Sequence, residues 1–570
     1  MKRIVKITAF LCLVLFSIQN IYSQEELIKS WEGTLNISGM PLRILFHITV
    51  NEEGKLSATI DSPDQGAKGI PVTNISFENG NIKMEASSIA GLFEGKVNDD
   101  FTRIKGEWKQ GGSSIPLALT PQPELNFFSL WTGELKTGAQ SLRLNVRFFK
   151  VGEDSIGAFL DSPDQNSNDM PASNVYYGED SVFFEIKVVG GFYTGRYNED
   201  KTKIIGTWTQ GAFKAPLILE KTDKVFESKR PQEPKKPYPY TEEEITFENK
   251  DAGITLAGTF TYPKEELSFP AVILVSGSGP QNRNEELFGH KPFLVWADYL
   301  TRNGIAVLRY DDRGVGKSSG DFGSAIIPDF TSDAIAAVNY LKSRKEINPD
   351  KIGIIGHSEG GIVAPMAANK SDDVSFIVLA AGSAVTGKEI LLLQAQLIAR
   401  AEGAPEDKIK RDNELLQKLY DVIDTVEDSL AAYEKLNPIW DDYINSLPQE
   451  EKPENIAQVI EQQKKKIMSP WFRNFLKHDP RPDLEKLDIP VLALFGGKDL
   501  QIPASQNKDE MERALEKSSS KNYKVIVLPG LNHLFQDSET GALSGYAKIE
   551  ETVSPKMLEV MANWIKEITH

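Results

Sequence analysis

From Trp31 to Leu119 apolar and polar residues alternate with period two. Leu42, Ile44, Phe46 and Ile48 share one face of one stretch, and Leu56, Ala58 and Ile60 one face of the next. Turn-forming strings such as Asn51-Glu52-Glu53-Gly54, Glu78-Asn79-Gly80 and Asn98-Asp99-Asp100 separate these stretches, as in antiparallel strands joined by tight turns. The pattern then recurs. Residues 31–120 and 131–220 match at an offset of 100, pairing Trp31 with Trp131, Asn74 with Asn174, Gly106 with Gly206 and Trp108 with Trp208. The string Asp61-Ser62-Pro63-Asp64-Gln65 returns unchanged as Asp161 to Gln165. Two tandem all-β modules are predicted, over 24–125 and 126–225, as sandwiches, open barrels or one fused double sheet.

Residues 226–241 interleave Pro231, Pro234, Pro237 and Pro239 with Lys229, Arg230, Lys235 and Lys236, the composition of a semi-rigid linker. After it the period changes. Ala271–Val275, Ile305–Leu308, Ile352–Ile355, Phe376–Leu379, Val491–Phe495 and Val525–Leu528 are short continuous apolar runs, the signature of strands buried on both faces of a mostly parallel sheet. Helical stretches separate them, one starting near Thr331-Ser332-Asp333. Strands cease over about 388–479, where Leu391–Ala401, Ile409–Ile423 and Ile456–Ile467 read as helices with Pro438, Pro448, Pro453 and Pro470 at their joints. A helical cap inserted into an α/β domain spanning 242–570 is predicted.

The first 23 residues form a separate signal. Lys2, Arg3 and Lys6 precede an apolar run from Ile7 to Ile18, with the small Ser23 just beyond, the layout of a cleavable signal peptide. Export to the periplasm or the extracellular space is expected, with no membrane span after cleavage. Losing three cations moves the formal charge from −17 to −20, a poor match for nucleic acid. The one cysteine, Cys12, leaves with the leader, which excludes disulfides, a thiolate nucleophile and thiolate metal sites from the mature chain. In the β modules Trp31, Phe93, Trp108, Trp131, Tyr193 and Trp208 read as core rather than as a carbohydrate platform. The Asp-Ser-Pro-Asp-Gln strings read as Asx turns, because they lack the alternating oxygen ligands of a calcium loop.

The strongest chemical signal is Gly356-His357-Ser358-Glu359-Gly360-Gly361, directly after the run Ile352–Ile355. A serine presented on a sharp strand-to-helix turn needs small residues two before and two after it. It also needs a base, and a third group to hold that base in the right tautomer. Asp499 follows Val491–Phe495, and His533 follows Val525–Leu528. Of the other histidines, His290 lies in a polar loop and is the alternative base, while His357 buttresses the turn. One oxyanion donor is the N–H of Glu359; the other comes from the loop Ser276-Gly277-Ser278-Gly279. That loop lacks the spacing of a nucleotide-binding motif, and no H-E-x-x-H pair exists, so neither cofactor nor metal is expected.

Nucleophile, acid and histidine in this chain order, each after a strand, resemble the α/β-hydrolase superfamily, particularly exported bacterial carboxylesterases and serine aminopeptidase-like hydrolases. The resemblance extends through Ser276 to Pro280, Arg309 to Ser318, Gly356 to Gly361, Gly497-Lys498-Asp499 and Asn532-His533. It implies Ser358, Asp499 and His533 as catalytic residues, Ser278 beside Glu359 at the oxyanion hole, and a structural role for Asp311, Asp312 and Arg313. Many relatives have His where Ser276 stands. The expected function is exported hydrolysis of small carboxylic esters through an acyl-enzyme. Two rivals stand beside it: an aminopeptidase that uses acidic cap residues such as Glu402, Glu406, Asp407, Glu414, Asp421 and Asp424 to hold an amino group, and a binding protein built on the β modules, which also offer a homodimer surface.

Overall fold

The computed structural model describes residues 26–569 except 38–39, 52–53, 63–66, 87–88, 90, 111–112, 123–125, 138–139, 152–154, 166, 212, 227–228, 265–267, 449–451 and 453–455. The leader, and Pro63 to Gln65 of the first Asp-Ser-Pro-Asp-Gln string, lie outside the described residues. No described helix is long and apolar enough to cross a membrane. The chain divides into two compact units, the β modules and a unit made mainly of residues 227–570.

Each β module is a single curled, all-antiparallel sheet of nine strands, in which the first strand pairs with the last. The sandwich and the fused double sheet are thereby corrected to two half-barrels. The alternation explains the curl: one face of every strand points into a concave core and the other into solvent. Trp31, Phe46, Phe93 and Trp108 fill the first core, and Trp131, Phe148, Tyr193 and Trp208 the second. All six aromatics singled out in the sequence are buried. The repeated aspartates serve the sheet. Asp61 accepts from the Gly69 N–H at 2.7 Å and stands 2.9 Å from His47 Nε2, whereas Asp161 accepts from the Asp169 N–H at 2.7 Å and takes two bonds of 2.8 Å from Arg147. The repeat thus conserves an acid–base pair across neighbouring strands while changing the base.

The second unit is built on an eight-stranded sheet: β1 (Thr241–Asn249), β2 (Ile254–Tyr262), β3 (Phe269–Val275), β4 (Ala306–Tyr310), β5 (Ile347–His357), β6 (Phe376–Ala380), β7 (Val491–Gly496) and β8 (Tyr523–Leu528). The spatial order is β1-β2-β4-β3-β5-β6-β7-β8. β1, β2 and β4 pair antiparallel and the remaining pairs are parallel. Strands β4, β6 and β7 are buried at every residue, as continuous Val/Ile/Leu runs demand when helices cover both faces. Among these helices are α1 (Pro292–Arg302), α2 (Ile327–Lys342) and α3 (Gly360–Ala368). α2 starts four residues earlier than Thr331 suggests. Asp329 caps it by accepting the Ile326 N–H at 2.9 Å, while Asp333 lies inside the helix and is taken up by Arg313.

Between β6 and β7 the cap comprises α4 (Gly387–Ala401), α5 (Glu406–Thr425), α6 (Ser429–Ser446), α7 (Ile456–Ile467) and α8 (Pro470–Lys477). Leu415, Leu419, Tyr420, Ile423, Leu436 and Phe472 give it a core of its own. Pro438, read in the sequence as a joint, sits within α6. Buried Ala432 and Leu436 on the same helix offset the bond that a proline removes. The proline-rich segment is not a free spacer. Arg230 donates to the carbonyls of Gly289, Ala547 and Ile549, Gln232 bonds both ways with Val553, and Tyr240 donates to Asp298 at 2.8 Å.

Asp161 is nearly buried and answers Arg147 bidentately, so Asp161→Ala removes two of the guanidinium's charged bonds and leaves it only Asp169. Chemical denaturation should show the β unit destabilised by about 1–3 kcal/mol.

Candidate active site

The turn between β5 and α3 sets the geometry. Ser358 adopts a left-handed backbone, φ 53°, which a non-glycine residue holds only under constraint. Its N–H donates to the Ala380 carbonyl at 2.9 Å and its carbonyl accepts from the Gly361 N–H at 2.9 Å. A Cβ on Gly356 would stand 1.9 Å from the Gly360 carbonyl oxygen, and one on Gly360 would stand 2.2 Å from that of Val275. Only glycine fits at either position, so the sequence spacing reports a steric requirement. The serine side chain is left partly exposed while its neighbours His357 and Glu359 are buried.

The loops after β7 and β8 bring the other two residues to the serine. His533 Nε2 lies 3.0 Å from Ser358 Oγ, and His533 Nδ1 lies 2.8 Å from Asp499 Oδ2. The other Asp499 oxygen accepts the N–H groups of Gln501 and Ile502 at 2.8 and 2.9 Å. The carboxylate is therefore fixed from behind. An ionised Asp499 can only accept, so the proton sits on Nδ1 and the Nε2 lone pair faces the serine hydroxyl. This arrangement can draw the proton from Ser358 and stabilise the resulting imidazolium. His290, the alternative base, is fully buried and held by the Tyr546 carbonyl and the Thr552 hydroxyl. Burial, aided by the Arg230 charge, lowers its pKa to about 4.

Glu359 directly follows the serine, whereas in the loop after β3 it is Gly277, next to Ser278, that makes the close approach: a Cβ there would stand 3.1 Å from Ser358 Cβ. Its N–H is already committed to Glu285 Oε1 at 2.7 Å. Ser276 donates its hydroxyl to Asp312 at 2.9 Å. Ser276, Gly277, Gly279, Tyr310, Asp312 and Glu359 help to line a cavity of about 20 Å³, enough for one water. Asp311 and Arg313 are structural: Asp311 receives both sides of the Arg283 guanidinium, and Arg313 grips Asp333.

Two functional neighbours left no signal in the sequence. Trp471, at the start of α8, donates its indole N–H to both Glu359 oxygens at 2.9 and 3.1 Å, tying the cap to the residue after the nucleophile. Glu285 lies behind the oxyanion loop. The acidic cap residues are largely matched: Glu406 pairs with Arg400, Asp421 and Asp424 pair with Lys388, and Glu402 accepts the Ser544 N–H.

Burial raises the pKa of Glu359 to about 7, opposed by the Trp471 bond. Burial also raises that of Asp312 to about 8, opposed by bonds from Gln281 and Ser276 and reinforced by Glu359 and Glu285. Among the described residues, no group of His, Cys, Asp and Glu has the geometry to hold a metal ion.

A family model described as "Serine aminopeptidase, S33" matches residues 293–441, a stretch that contains Ser358 and stops before Asp499 and His533. The chain is 28% identical over 324 residues to Esterase EstD of Thermotoga maritima, covering 56% of this chain and 68% of that protein. It is 26% identical over 271 residues to an uncharacterised 31.7 kDa protein of Escherichia coli, covering 46% of this chain and 84% of that protein. Among solved structures, Est1E from Butyrivibrio proteoclasticus with bound ferulic acid matches at 17% identity and a TM-score of 0.32, over 57% of this chain and 97% of that one. The α/β half resembles the α/β-hydrolase superfamily in both fold and sequence. Over residues 293–441 and across the stretch matched by Esterase EstD, this half is similar in sequence to esterases and related hydrolases.

Glu359 supplies a stability prediction. Its folded pKa lies above the unfolded value, so its contribution is fully present below about pH 4.5 and is lost as pH rises to about 7. Glu359→Gln keeps an acceptor for Trp471 without the titration. Its melting temperature relative to the wild type should climb across that window and then level off, a change of about 3 kcal/mol.

Proposed function

We propose that the protein is an exported serine carboxylesterase. The observation that carries this reading is the continuous contact from Asp499 through His533 to Ser358 Oγ on a strained strand-to-helix turn. Ser358 attacks an ester carbonyl, and His533 takes its proton and returns it to the leaving alcohol. Asp499 holds the imidazolium, and the backbone N–H groups of Glu359 and Ser278 receive the developing oxyanion. Water, activated by His533, then releases the acid from Ser358. The amino-terminal leader pattern supports export, and the curated esterase relative supports ester chemistry.

The description of the matching family model favours a second reading, an aminopeptidase working through the same three residues. The pairing of Glu406, Asp421 and Asp424 with cap cations weighs against it, because a substrate ammonium would have to displace them.

A rate panel separates the two. p-Nitrophenyl acetate and butyrate should be cleaved, aminoacyl-anilides left intact, and Ser358→Ala should lower ester turnover about 10⁴-fold or more. Anilide cleavage lost in Ser358→Ala would move the assignment to the peptidase. Ester turnover surviving in that variant would remove Ser358 from the mechanism.

A further inference from the structure

A buried carboxylate and a buried imidazole, unused in the scheme above, lie directly behind the nucleophile. Glu285 is fully buried in the loop after β3 and held at a left-handed φ of 49°. Its Oε1 accepts the Gly277 N–H at 2.7 Å and stands 2.8 Å from His357 Nδ1. The other nitrogen of His357, Nε2, stands 3.0 Å from the backbone carbonyl oxygen of His533. One short chain of bonds therefore joins the oxyanion loop, the residue before the nucleophile and the backbone of the base.

Counting protons along this chain fixes its state. A peptide carbonyl carries no hydrogen, so the contact to His533 requires a proton on Nε2. The contact between Nδ1 and Oε1 requires a second proton, because otherwise two lone pairs would face each other at hydrogen-bond distance. A neutral imidazole beside an ionised carboxylate has only one proton for the two contacts. The pair must hold both, as an imidazolium facing the Glu285 carboxylate. Its surroundings enforce the count. Trp296 and Phe535 pack on the His357 ring, and among the described residues Glu285 Oε2 has no hydrogen-bond partner, so a lone uncompensated charge here would be costly. Burial works against charging His357, but Glu285, the His533 carbonyl and Asp499 more than offset it and raise its pKa.

We propose that Glu285 and His357 are positioning residues of the hydrolytic site, a doubly protonated pair that clamps the Gly277 loop and the His533 loop onto the nucleophile turn. The proposal rests on the reading of Ser358 as nucleophile. Both side chains are buried, Glu285 completely and His357 to within 2%, so the pair acts on the rate of the chemical step rather than on binding. The geometry makes that rate sensitive. A Cβ on Gly277 would stand 3.1 Å from Ser358 Cβ, so the loop has no room to shift toward the serine, and His533 is fixed at its ring by Asp499 and at its backbone by His357.

The test uses the full-length protein and expresses turnover per serine labelled by an alkyl phosphonate, which removes misfolded molecules from the count. Glu285→Gln keeps an acceptor for Gly277 but loses the charge that retains the second proton. Its kcat per labelled serine should fall about 10²-fold, with KM within threefold of the wild type. Its kcat–pH profile should gain an ionisation that the wild type lacks, from His357 facing position 285, His533 and Asp499. Glu285→Asp should restore part of the rate and remove the extra ionisation. Independently of turnover, the ¹⁵N spectrum of the wild type should show two protonated nitrogens on His357, assigned by their loss in His357→Gln; this decides the matter if Glu285→Gln does not fold. Equal rates per labelled serine, superimposable pH profiles or a singly protonated His357 at neutral pH would each overturn the proposal. A wild-type protein that takes up no phosphonate would overturn the reading of Ser358 and the positioning role with it. That outcome is distinct from a labelled protein indifferent to Glu285.

Discussion

The structure of the site depends on a steric constraint: three strands and a helix meet where a Cβ cannot be accommodated. Gly356 closes against Gly360, and Gly360 closes against the last residue of β3. The chain between them is forced through a left-handed residue, and that residue is Ser358. The strain is held by the sheet, in which β3 and β6 are buried almost throughout and β5 over its last six residues, Ile352 to His357. With the serine raised on this turn, the loops after β7 and β8 need only place one carboxylate and one imidazole within bonding distance.

Around the turn the protein buries several carboxylates and treats each differently. Asp499 receives two backbone N–H groups on one oxygen and the histidine on the other, so it is held in place to orient the imidazole. Glu359 receives only an indole N–H, and Asp312 a backbone N–H and a hydroxyl. Burial therefore moves both toward the neutral acid near pH 7. Glu285 is matched by His357, whose Nδ1 stands 2.8 Å away. The negative charge beside the nucleophile is thus concentrated on the residue that orients the base, an arrangement in which environment rather than residue type sets each carboxyl group's role.

Much of this was legible in the sequence because it rests on local rules. Period-two alternation and the offset of 100 define the β modules, and continuous apolar runs define the parallel sheet. The glycine spacing defines the turn, since close packing of backbones permits nothing larger. What was not legible depends on residues distant in the chain. Glu285 and His357 meet across 72 positions, and Trp471 reaches Glu359 across 112; neither pair has a local signature. His290 was an eligible base by chemistry alone, and only its burial against Tyr546 and Thr552 sets it aside. The start of α2 was misplaced for a similar reason: Asp333 looks like a cap in isolation, whereas Arg313, 20 residues earlier, claims it. Whether the repeated modules form sandwiches or half-barrels likewise depends on the pairing of first and last strands, which no local pattern records.

The central claim is that Ser358 carries the acyl group. Acid quenching during steady turnover of p-nitrophenyl butyrate, followed by mass spectrometry of the peptide containing Ser358, tests it directly. The account predicts a butyryl adduct on Ser358 that accumulates when His533 is replaced by alanine in a protein preloaded with a reactive acyl donor, and that is absent in Ser358→Ala. Turnover with no adduct at Ser358, or an adduct on another residue, would contradict it.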